Sequence, residues 1–272
     1  MTTPESIVTS RYDRGLRLLQ QVAGVERPAV LDTLAAIAPD LGRYTVEFAY
    51  GDIYDRPGLT LRERQLSTVA ALSAMGNAAP QLAFHVNGAL NVGCSRREIV
   101  ETMIHATVYA GFPAALNAIF VAKDAFAARP EQADPESDDE PGATASADRY
   151  ERGLAALAEI DGEAGEKVIA SLDDIARDLA RYIIEYSFGD IYSRGGLDLK
   201  TREIATIAMC AALGTARPQL KVHVHGLLNV GGTREEAVET IVHIAVYAGF
   251  PAALNAIAAA REVFEEREAA ER

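Results

Sequence analysis

The sequence predicts an all-α protein made of two tandem copies of one helical bundle, with about six helices in each copy. Apolar residues recur with the 3.6-residue period of amphipathic helices, and no convincing strand alternation is present. Capping signals mark the start of several helices. A third observation is an internal repeat, because the segment that begins at Arg11 returns at Arg149, an offset of 138 residues.

The repeat defines the predicted domains. Between residues 80–119 and 218–257, 28 of 40 positions are identical, which indicates a tandem duplication. The predicted domains are residues 1–129 and 148–272. Residues 130–147 hold six acidic and no basic side chains and three prolines, so they are expected to form a flexible acidic linker.

Local signals place the helices of the first copy in order. Thr60-x-x-Glu63 predicts a helix over 60–76 that ends at Gly76, and a proline opens the next helix over 80–92, which Gly93 ends. Ser95-x-x-Glu98 predicts a helix that runs to about Gly111, and Pro113 opens another. The segment from Tyr50 to Leu59 combines glycines, acidic residues and a proline, which indicates a loop.

Composition excludes several classes of function. The chain has 272 residues, 49% of them apolar, and a formal net charge of −13, so it lacks the basic footprint that nucleic acids and anionic membranes require. The sequence contains no run of about 18 apolar residues, so no membrane span is predicted. The two cysteines are not repeated and form no Cys-x-x-Cys pair, no histidine cluster has metal-ligand spacing, and no phosphate loop is present. We expect a cytoplasmic protein without a metal.

Two histidines are the first candidates for proton transfer. His85 shares a helix face with the apolar Leu82, Ala89 and Val92, and its counterpart His223 does the same, so each ring faces the interior or a pocket. Such a histidine can be a packed core residue or an acid–base group. Gln81 and Gln219 lie one turn earlier and could orient the rings. His105 and His243, on the next helix, are expected in the core or at an interface.

Arginines on apolar faces are candidates for binding an anion. Arg64, like its counterpart Arg202, shares a face with leucine and alanine and would either bind a carboxylate or form a structural ion pair within the bundle, for instance with Glu47 or Asp52. The segment from Tyr50 to Leu59 and its counterpart add further candidate binding groups: Tyr50, Tyr54, Arg56, Phe188, Tyr192 and Arg194.

These motifs together resemble the 4-carboxymuconolactone decarboxylase family. The resemblance is carried by Arg-Tyr-Asp-Arg-Gly from Arg11, Gly-Asp-Ile-Tyr-x-Arg-Pro-Gly-Leu from Gly51, His-Val-Asn-Gly-Ala-Leu-Asn-Val-Gly from His85 and Tyr-Ala-Gly-Phe-Pro from Tyr109. It covers nearly all of each copy. The related AhpD-like alkyl hydroperoxidases use a Cys-x-x-Cys pair that this chain lacks.

The resemblance implies a cofactor-free enzyme that removes CO2 from a carboxylated γ-lactone. It casts His85 and His223 as proton donors, and Arg64, Arg202, Arg56 and Arg194 as the groups that hold the substrate carboxylate and the lactone oxygen. Gln81 and Gln219, Tyr50 and Phe188, and Tyr54 and Tyr192 would complete the substrate sites. The resemblance also implies an assembly, because single-copy members of the family look like hexamers built from dimers. If each fused chain replaces one dimer, the chain is expected to form a homotrimer.

Departures from the family pattern motivate two alternatives. Both copies have Gln-Leu-x-x-His where the family commonly has Glu, and tyrosine or phenylalanine replaces tryptophan beside Gly-Asp-Ile. A repurposed enzyme could instead isomerise, cyclise or hydrolyse a lactone or polyketide-like substrate, and a binding or assembly protein without catalysis is the other alternative. Because Glu203 replaces Gln65 and His225 replaces Asn87, one copy is predicted to carry most of the activity.

Overall fold

A computed structural model describes residues 10–130, 149–172 and 174–272. Apart from residue 130, the predicted acidic linker lies outside the described residues. The described part of the chain forms helices joined by short turns and loops and contains no strand, which confirms the all-α prediction.

In each copy the described residues form six α-helices and one π-helical segment. In the first copy these are α1 (Arg11–Ala23), α2 (Ala29–Ala35), α3 (Pro39–Tyr44), a π-helical segment (Thr45–Tyr54), α4 (Leu61–Met75), α5 (Ala79–Asn91) and α6 (Arg96–Ala127). In the second copy they are α7 (Arg149–Ile160), α8 (Gly162–Ala170), α9 (Arg177–Tyr182), a π-helical segment (Ile183–Tyr192), α10 (Leu199–Leu213), α11 (Arg217–Asn229) and α12 (Arg234–Ala270).

The predicted caps are confirmed. Thr60 with Glu63 forms a reciprocal capping box at the start of α4, and Gly76 ends that helix in the left-handed conformation with φ of 68°. Ser95 with Glu98 forms the same box at the start of α6. The predicted break at the end of that helix is a kink, because Gly111 has a φ of 80° and Pro113 follows in the first turn beyond it.

The predicted loop from Tyr50 is wrong for its first half. Residues up to Tyr54 are π-helical, and the amide of Asp55 donates to the carbonyl of Tyr50 at 3.2 Å, five residues back. The wider turn brings residues four apart nearly above one another, so Tyr50 and Tyr54 stack with ring centroids 4.6 Å apart. Asp52 caps no turn but pairs with Arg11 at 2.8 Å. Glycine and aspartate suggest a turn locally, whereas burial of the two aromatic rings decides the outcome.

The two copies pack through their central helices. Helix α4 packs against α10, and these two helices and α6 share a buried core of five alanines and one methionine: Ala70, Ala74, Ala106, Ala115, Ala205 and Met209. Helix α6 of the first copy also contacts α10, while α12 of the second contacts α4. Each copy thus extends its last long helix across the other copy's central helix.

Helices α6 and α12 have the length and apolar composition that a membrane-crossing helix needs. Core helices of globular proteins meet the same criterion, so it is weak evidence when it stands alone. Both helices also direct a buried glutamate, Glu101 or Glu239, to arginines of the other copy. The expected absence of a membrane span therefore stays a prediction.

Candidate active site

Each copy of the bundle contains a mainly apolar cavity beside the histidine of α5 or α11. The first, about 280 Å³, is lined by α5, the first π-helical segment and α12, including Tyr50, Gln81, His85 and Tyr247. The second, about 250 Å³, is lined by the equivalent elements, which are α11, the second π-helical segment and α6. Its lining includes Phe188, Gln219, His223 and Tyr109. Both cavities therefore take a tyrosine from the other copy, so each cavity is completed by its counterpart.

At the wall of the first cavity, four side chains form a closed cycle of hydrogen bonds, here called the first network. The Gln65 amide Nε2 donates to Tyr54 Oη at 3.1 Å, and its Oε1 lies 3.0 Å from His85 Nδ1. His85 Nε2 lies 3.3 Å from Tyr247 Oη, which lies 2.6 Å from Tyr54 Oη. The histidine is thereby held between one copy's amide and the other copy's phenol.

The second cavity repeats this cycle with one change, and these residues are called the second network. Glu203 occupies the position of Gln65, with its Oε2 2.9 Å from His223 Nδ1 and its Oε1 accepting from Tyr192 Oη at 2.7 Å. Tyr109 Oη lies 3.0 Å from His223 Nε2 and 2.6 Å from Tyr192 Oη. A carboxylate thus replaces an amide at an otherwise matched site.

The two histidines have opposite electrostatic environments. Burial lowers the pKa of His85 to about 3, because the side chain has no charged partner. Burial also acts to lower the pKa of His223, but the charge of Glu203 and the hydrogen bond to it outweigh that effect, so the pKa of His223 is raised. Burial raises the pKa of Tyr109 and Tyr247 well above the usual value, so both phenols stay protonated.

The second cavity also holds a carboxyl group with no equivalent in the first. Asp161, at the end of α7, lines the cavity and is 6% exposed, and its Oδ1 has no hydrogen-bond partner. Burial raises its pKa to about 7. The equivalent residue of the first copy is Ala23.

The four predicted arginines line neither cavity. Arg64 and Arg202 are fully buried and pair with Glu239 at 3.3 Å and Glu101 at 3.2 Å, respectively. Arg56 and Arg194 form two-pronged pairs with the same glutamates, whose Oε2 atoms lie 2.9 Å from each arginine Nε. For Arg64 and Arg202 this is the structural ion-pair alternative, but the partner comes from the other copy rather than from Glu47 or Asp52.

The other predicted residues divide between the cavity walls and the networks. Tyr50, Phe188, Gln81 and Gln219 line the cavities, and Tyr192 both lines the second cavity and joins its network. Tyr54 joins the first network behind that wall. The residues that contact the histidine Nδ1 atoms are Gln65 and Glu203, not the glutamines one turn before each histidine.

Tyr109, Tyr247, Asp161, Gln65 and Glu203 were not predicted as site residues from the sequence. Tyr109 and Tyr247 belong to a repeated motif, but only packing between the copies brings them to a histidine more than 100 residues away. Asp161 carried one available signal, since it is a carboxylate at a position that is alanine in the first copy.

His105 and His243 are buried at the interface between the copies, as predicted. Nε2 of His105 lies 2.8 Å from Thr206 Oγ1, and Nε2 of His243 lies 2.8 Å from Thr68 Oγ1. Within residues 10–130, 149–172 and 174–272, no group of three or more His, Cys, Asp or Glu side chains is arranged to hold a metal ion.

Comparison with known proteins places these features in a family. A profile of the carboxymuconolactone decarboxylase family matches residues 39–124 and again residues 177–262. The 4-carboxymuconolactone decarboxylase of Acinetobacter baylyi is 36% identical over 119 residues, which are 43% of this chain and 88% of that protein. The nitrosuccinic acid decarboxylase of Metarhizium robertsii is 32% identical over 112 residues, which are 40% of this chain and 77% of that protein.

A solved structure shares the fold of the whole chain. It is a candidate gamma-carboxymuconolactone decarboxylase subunit from Burkholderia xenovorans LB400, which superposes with a TM-score of 0.57. The match covers 96% of this chain and 99% of that one at 23% identity, so it supports the fold alone.

Proposed function

The chain belongs to the carboxymuconolactone decarboxylase family, and from this membership we propose that it is a carboxy-lyase for a small carboxylated lactone of the carboxymuconolactone type, acting without a cofactor. The observation that carries the proposal is the histidine that each cavity presents beside a tyrosine of the other copy. In the second cavity that histidine, His223, is paired with Glu203 and is a proton donor at the wall of an apolar chamber. The arrangement can deliver a proton to carbon after CO2 has left.

The proposed reaction breaks one carbon–carbon bond and forms one carbon–hydrogen bond. The bond to the carboxylate breaks, CO2 leaves, and the electron pair stays on the substrate as a dienolate delocalised onto the lactone oxygen. The His223 imidazolium or a tyrosine hydroxyl linked to it gives a proton to the carbanionic carbon, and solvent restores that proton. One proton is consumed for each CO2 released.

Apolar walls support this reaction physically. The second cavity is lined by Leu157, Val168, Ile169 and Ile183 among others, which solvate a localised carboxylate poorly. Loss of CO2 spreads that charge over a conjugated system, so a mainly apolar chamber favours the transition state over the bound carboxylate. The tyrosine hydroxyls of the wall can donate to the developing enolate oxygen.

The arginines take a different role in this proposal from the one the family resemblance implies. Because Arg56, Arg64, Arg194 and Arg202 are paired with buried glutamates, we assign them to joining the two copies rather than to holding the substrate. Positive charge in the second cavity would come from His223 instead.

The test is release of CO2 from defined substrates. Purified protein is incubated with 4-carboxymuconolactone and, separately, with nitrosuccinic acid, the substrate that one relative's name specifies. With the first compound we expect CO2 to be released and the lactone absorbance to fall. The double variant His85→Gln with His223→Gln should show neither change. A folded protein that releases no CO2 from either compound contradicts the proposal.

A second candidate function is isomerisation of an uncharged enol-lactone, which is also a proton-transfer reaction. It is favoured by one observation: among the described residues that line the two cavities, none is arginine or lysine. An isomerase would incorporate deuterium from heavy water into an enol-lactone and release no CO2. A decarboxylase would do both with a carboxylated substrate, so the pair of measurements separates the two functions.

A further inference from the structure

The two networks differ in the number of protons that they need. The closed cycle of each network contains four hydrogen-bond contacts, and each contact requires one hydrogen between its two heavy atoms. Thr68 Oγ1 and Thr206 Oγ1 also lie 3.4 Å and 3.1 Å from the hydroxyls of Tyr54 and Tyr192. Both threonine hydroxyls donate to backbone carbonyls, of Arg64 and Arg202, so they supply no hydrogen to either cycle. Counting the hydrogens that the side chains can supply therefore determines the protonation state of each histidine.

The first network is complete with a neutral histidine. An amide oxygen can only accept, so His85 Nδ1 carries a hydrogen and donates to Gln65. The Gln65 amide nitrogen and the hydroxyls of Tyr54 and Tyr247 supply the other three hydrogens. Every donor then points the same way around the cycle, and His85 Nε2 is an acceptor without a proton.

The second network lacks one hydrogen unless a proton is added. Glu203 accepts from both Tyr192 and His223 Nδ1, and as a carboxylate it supplies no hydrogen. Tyr192 gives its hydrogen to Glu203, so Tyr109 must donate to Tyr192, and the contact between Tyr109 and His223 Nε2 needs a fourth hydrogen. An imidazole is more basic than a carboxylate, so that proton resides on His223.

The surroundings of each histidine are consistent with this count. The titratable groups around His223 are Glu203, Asp161, Tyr109, Tyr192 and His105. Glu203 is fully buried, so its charge acts on the imidazole through a medium that screens weakly. The titratable groups around His85 are Tyr247 and His243, and no carboxylate is among them.

We propose that the second cavity alone transfers protons, that Glu203 is the positioning residue that keeps a proton on His223, and that Gln65 holds the first cavity as a site that can bind a ligand but cannot protonate it. This inference rests on the proposed function only where it says which reaction uses the proton. The difference in protonation between the two histidines holds whatever the substrate is.

The first test measures protonation directly and needs no substrate. Nitrogen-15 spectra of the imidazole side chains, assigned with His85→Gln and His223→Gln, should show His223 doubly protonated at pH 7 and His85 neutral with a hydrogen on Nδ1. Glu203→Gln should make His223 neutral, and Gln65→Glu should protonate His85. Titration of both histidines over the same pH range in the wild-type protein would overturn the inference.

The second test exchanges the two residues and measures turnover of the substrate that releases CO2. Glutamine already occupies the equivalent position of the first copy, so the fold accommodates it, and thermal melting checks each variant. Glu203→Gln should lower turnover by roughly 100-fold or more, the usual range for loss of a positioned acid. Adding Gln65→Glu to Glu203→Gln should recover part of the turnover through the first cavity.

Two outcomes separate this inference from the proposed function. If the wild-type protein releases no CO2 but its histidines show the expected protonation states, the proposed function is wrong and the assignment of the proton stands. If the protein releases CO2 and Glu203→Gln retains full turnover, the inference is wrong and the proposed function stands.

Discussion

At the scale of single residues, the exchange of one amide for one carboxylate makes two otherwise matched sites chemically different. Gln65 and Glu203 occupy the same position on α4 and α10, and each contacts a histidine Nδ1 at about the same distance, 3.0 Å and 2.9 Å. The amide both donates and accepts, whereas the carboxylate only accepts. The direction in which the tyrosine hydroxyls donate is therefore reversed between the two networks.

Tyr109 and Tyr247 provide a matched pair for testing this difference. Tyr109→Phe removes the hydroxyl between His223 and Tyr192, so we expect turnover to fall by roughly 100-fold. Tyr247→Phe makes the same change in the first network and should leave turnover within about twofold of the wild type. The measurement is kcat for CO2 release, and equal losses in the two variants would contradict the assignment to the second cavity.

The buried carboxyl group of Asp161 should make the stability of the folded protein depend on pH. Burial raises its pKa to about 7 from an ordinary 3.8, so the folded protein holds a proton that the unfolded chain releases between about pH 4 and pH 7. Stability should therefore fall as the pH rises through that range. Relative to the wild type, Asp161→Asn should gain stability that is absent near pH 4 and on the order of a few kcal/mol at pH 8.

Urea unfolding at several pH values measures that gain. Asp178→Asn, on the exposed surface, is the control for removal of a negative charge without burial. A stability difference between Asp161→Asn and the wild type that stays constant from pH 4 to pH 8 would show that the carboxyl is not buried in the folded protein.

At the scale of helices and segments, the sequence predicts those structural features that depend only on residues close together in the chain. The boxes at Thr60 and Ser95 and the kink at Gly111 are local features and are confirmed. The pairing of Arg64 with Glu239 joins residues 175 apart, and no local pattern indicates it. Identical motifs also do not reveal that a tyrosine of one copy completes the network of the other.

Gly226 on helix α11 brings the helix backbone close to the Glu203 carboxylate. A β-carbon added at Gly226 would lie 2.6 Å from Glu203 Oε2, closer than such contacts allow. Gly226→Ala should therefore move the carboxylate away from His223 and lower the pKa of that imidazole, with a loss of turnover. Imidazole nitrogen-15 spectra measure the first effect directly.

Gly88→Ala on helix α5 is the matched control for that variant. The added β-carbon would lie 2.8 Å from Val22 and 3.0 Å from Gln65, so the first network is disturbed instead. Its turnover should stay close to that of the wild type. If Gly88→Ala lost more turnover than Gly226→Ala at equal stability, the first cavity would be the active one.

At the scale of the whole molecule, two buried glutamates join the copies. Glu239 of the second copy pairs with Arg56 and Arg64, and Glu101 of the first pairs with Arg194 and Arg202. Burial acts to raise the pKa of Glu239, but its hydrogen bonds to Arg56 and Arg64 lower it overall, so the carboxylate is charged. These pairs fix the position from which each copy's tyrosine reaches the opposite histidine.

Glu239→Gln should accordingly destabilise the folded chain. It leaves the fully buried Arg64 without a counter-charge, and breaking a buried pair in this way costs on the order of 3 kcal/mol. Glu262→Gln, which breaks exposed pairs with Arg217 and Lys221, should cost much less, because solvent screens both pairs. Urea unfolding at one pH compares them, and equal costs would show that the buried pair has no special role in joining the copies.

The expected homotrimer is the remaining prediction, and it concerns the outer surface of the long helices. Beyond the kink in α6, Phe112, Leu116 and Phe120 are spaced four residues apart and are each more than half exposed, and Phe250 and Leu254 are exposed at the equivalent positions of α12. Such a stripe is costly in water unless another surface covers it. We propose that further copies of the chain cover it.

Light scattering should then give a mass of about 87 kDa, three times the chain mass of 29.1 kDa. The double variant Leu116→Glu with Leu254→Glu places a charge in both stripes and should shift the mass toward 29 kDa, because an unpaired charge at an apolar contact is strongly unfavourable. Val25→Glu changes an exposed apolar residue outside the stripe and should leave the trimer intact. Since each network is complete within one chain, the monomeric variant should retain the imidazole protonation states of the wild type, and a change in them would mean that assembly shapes the site.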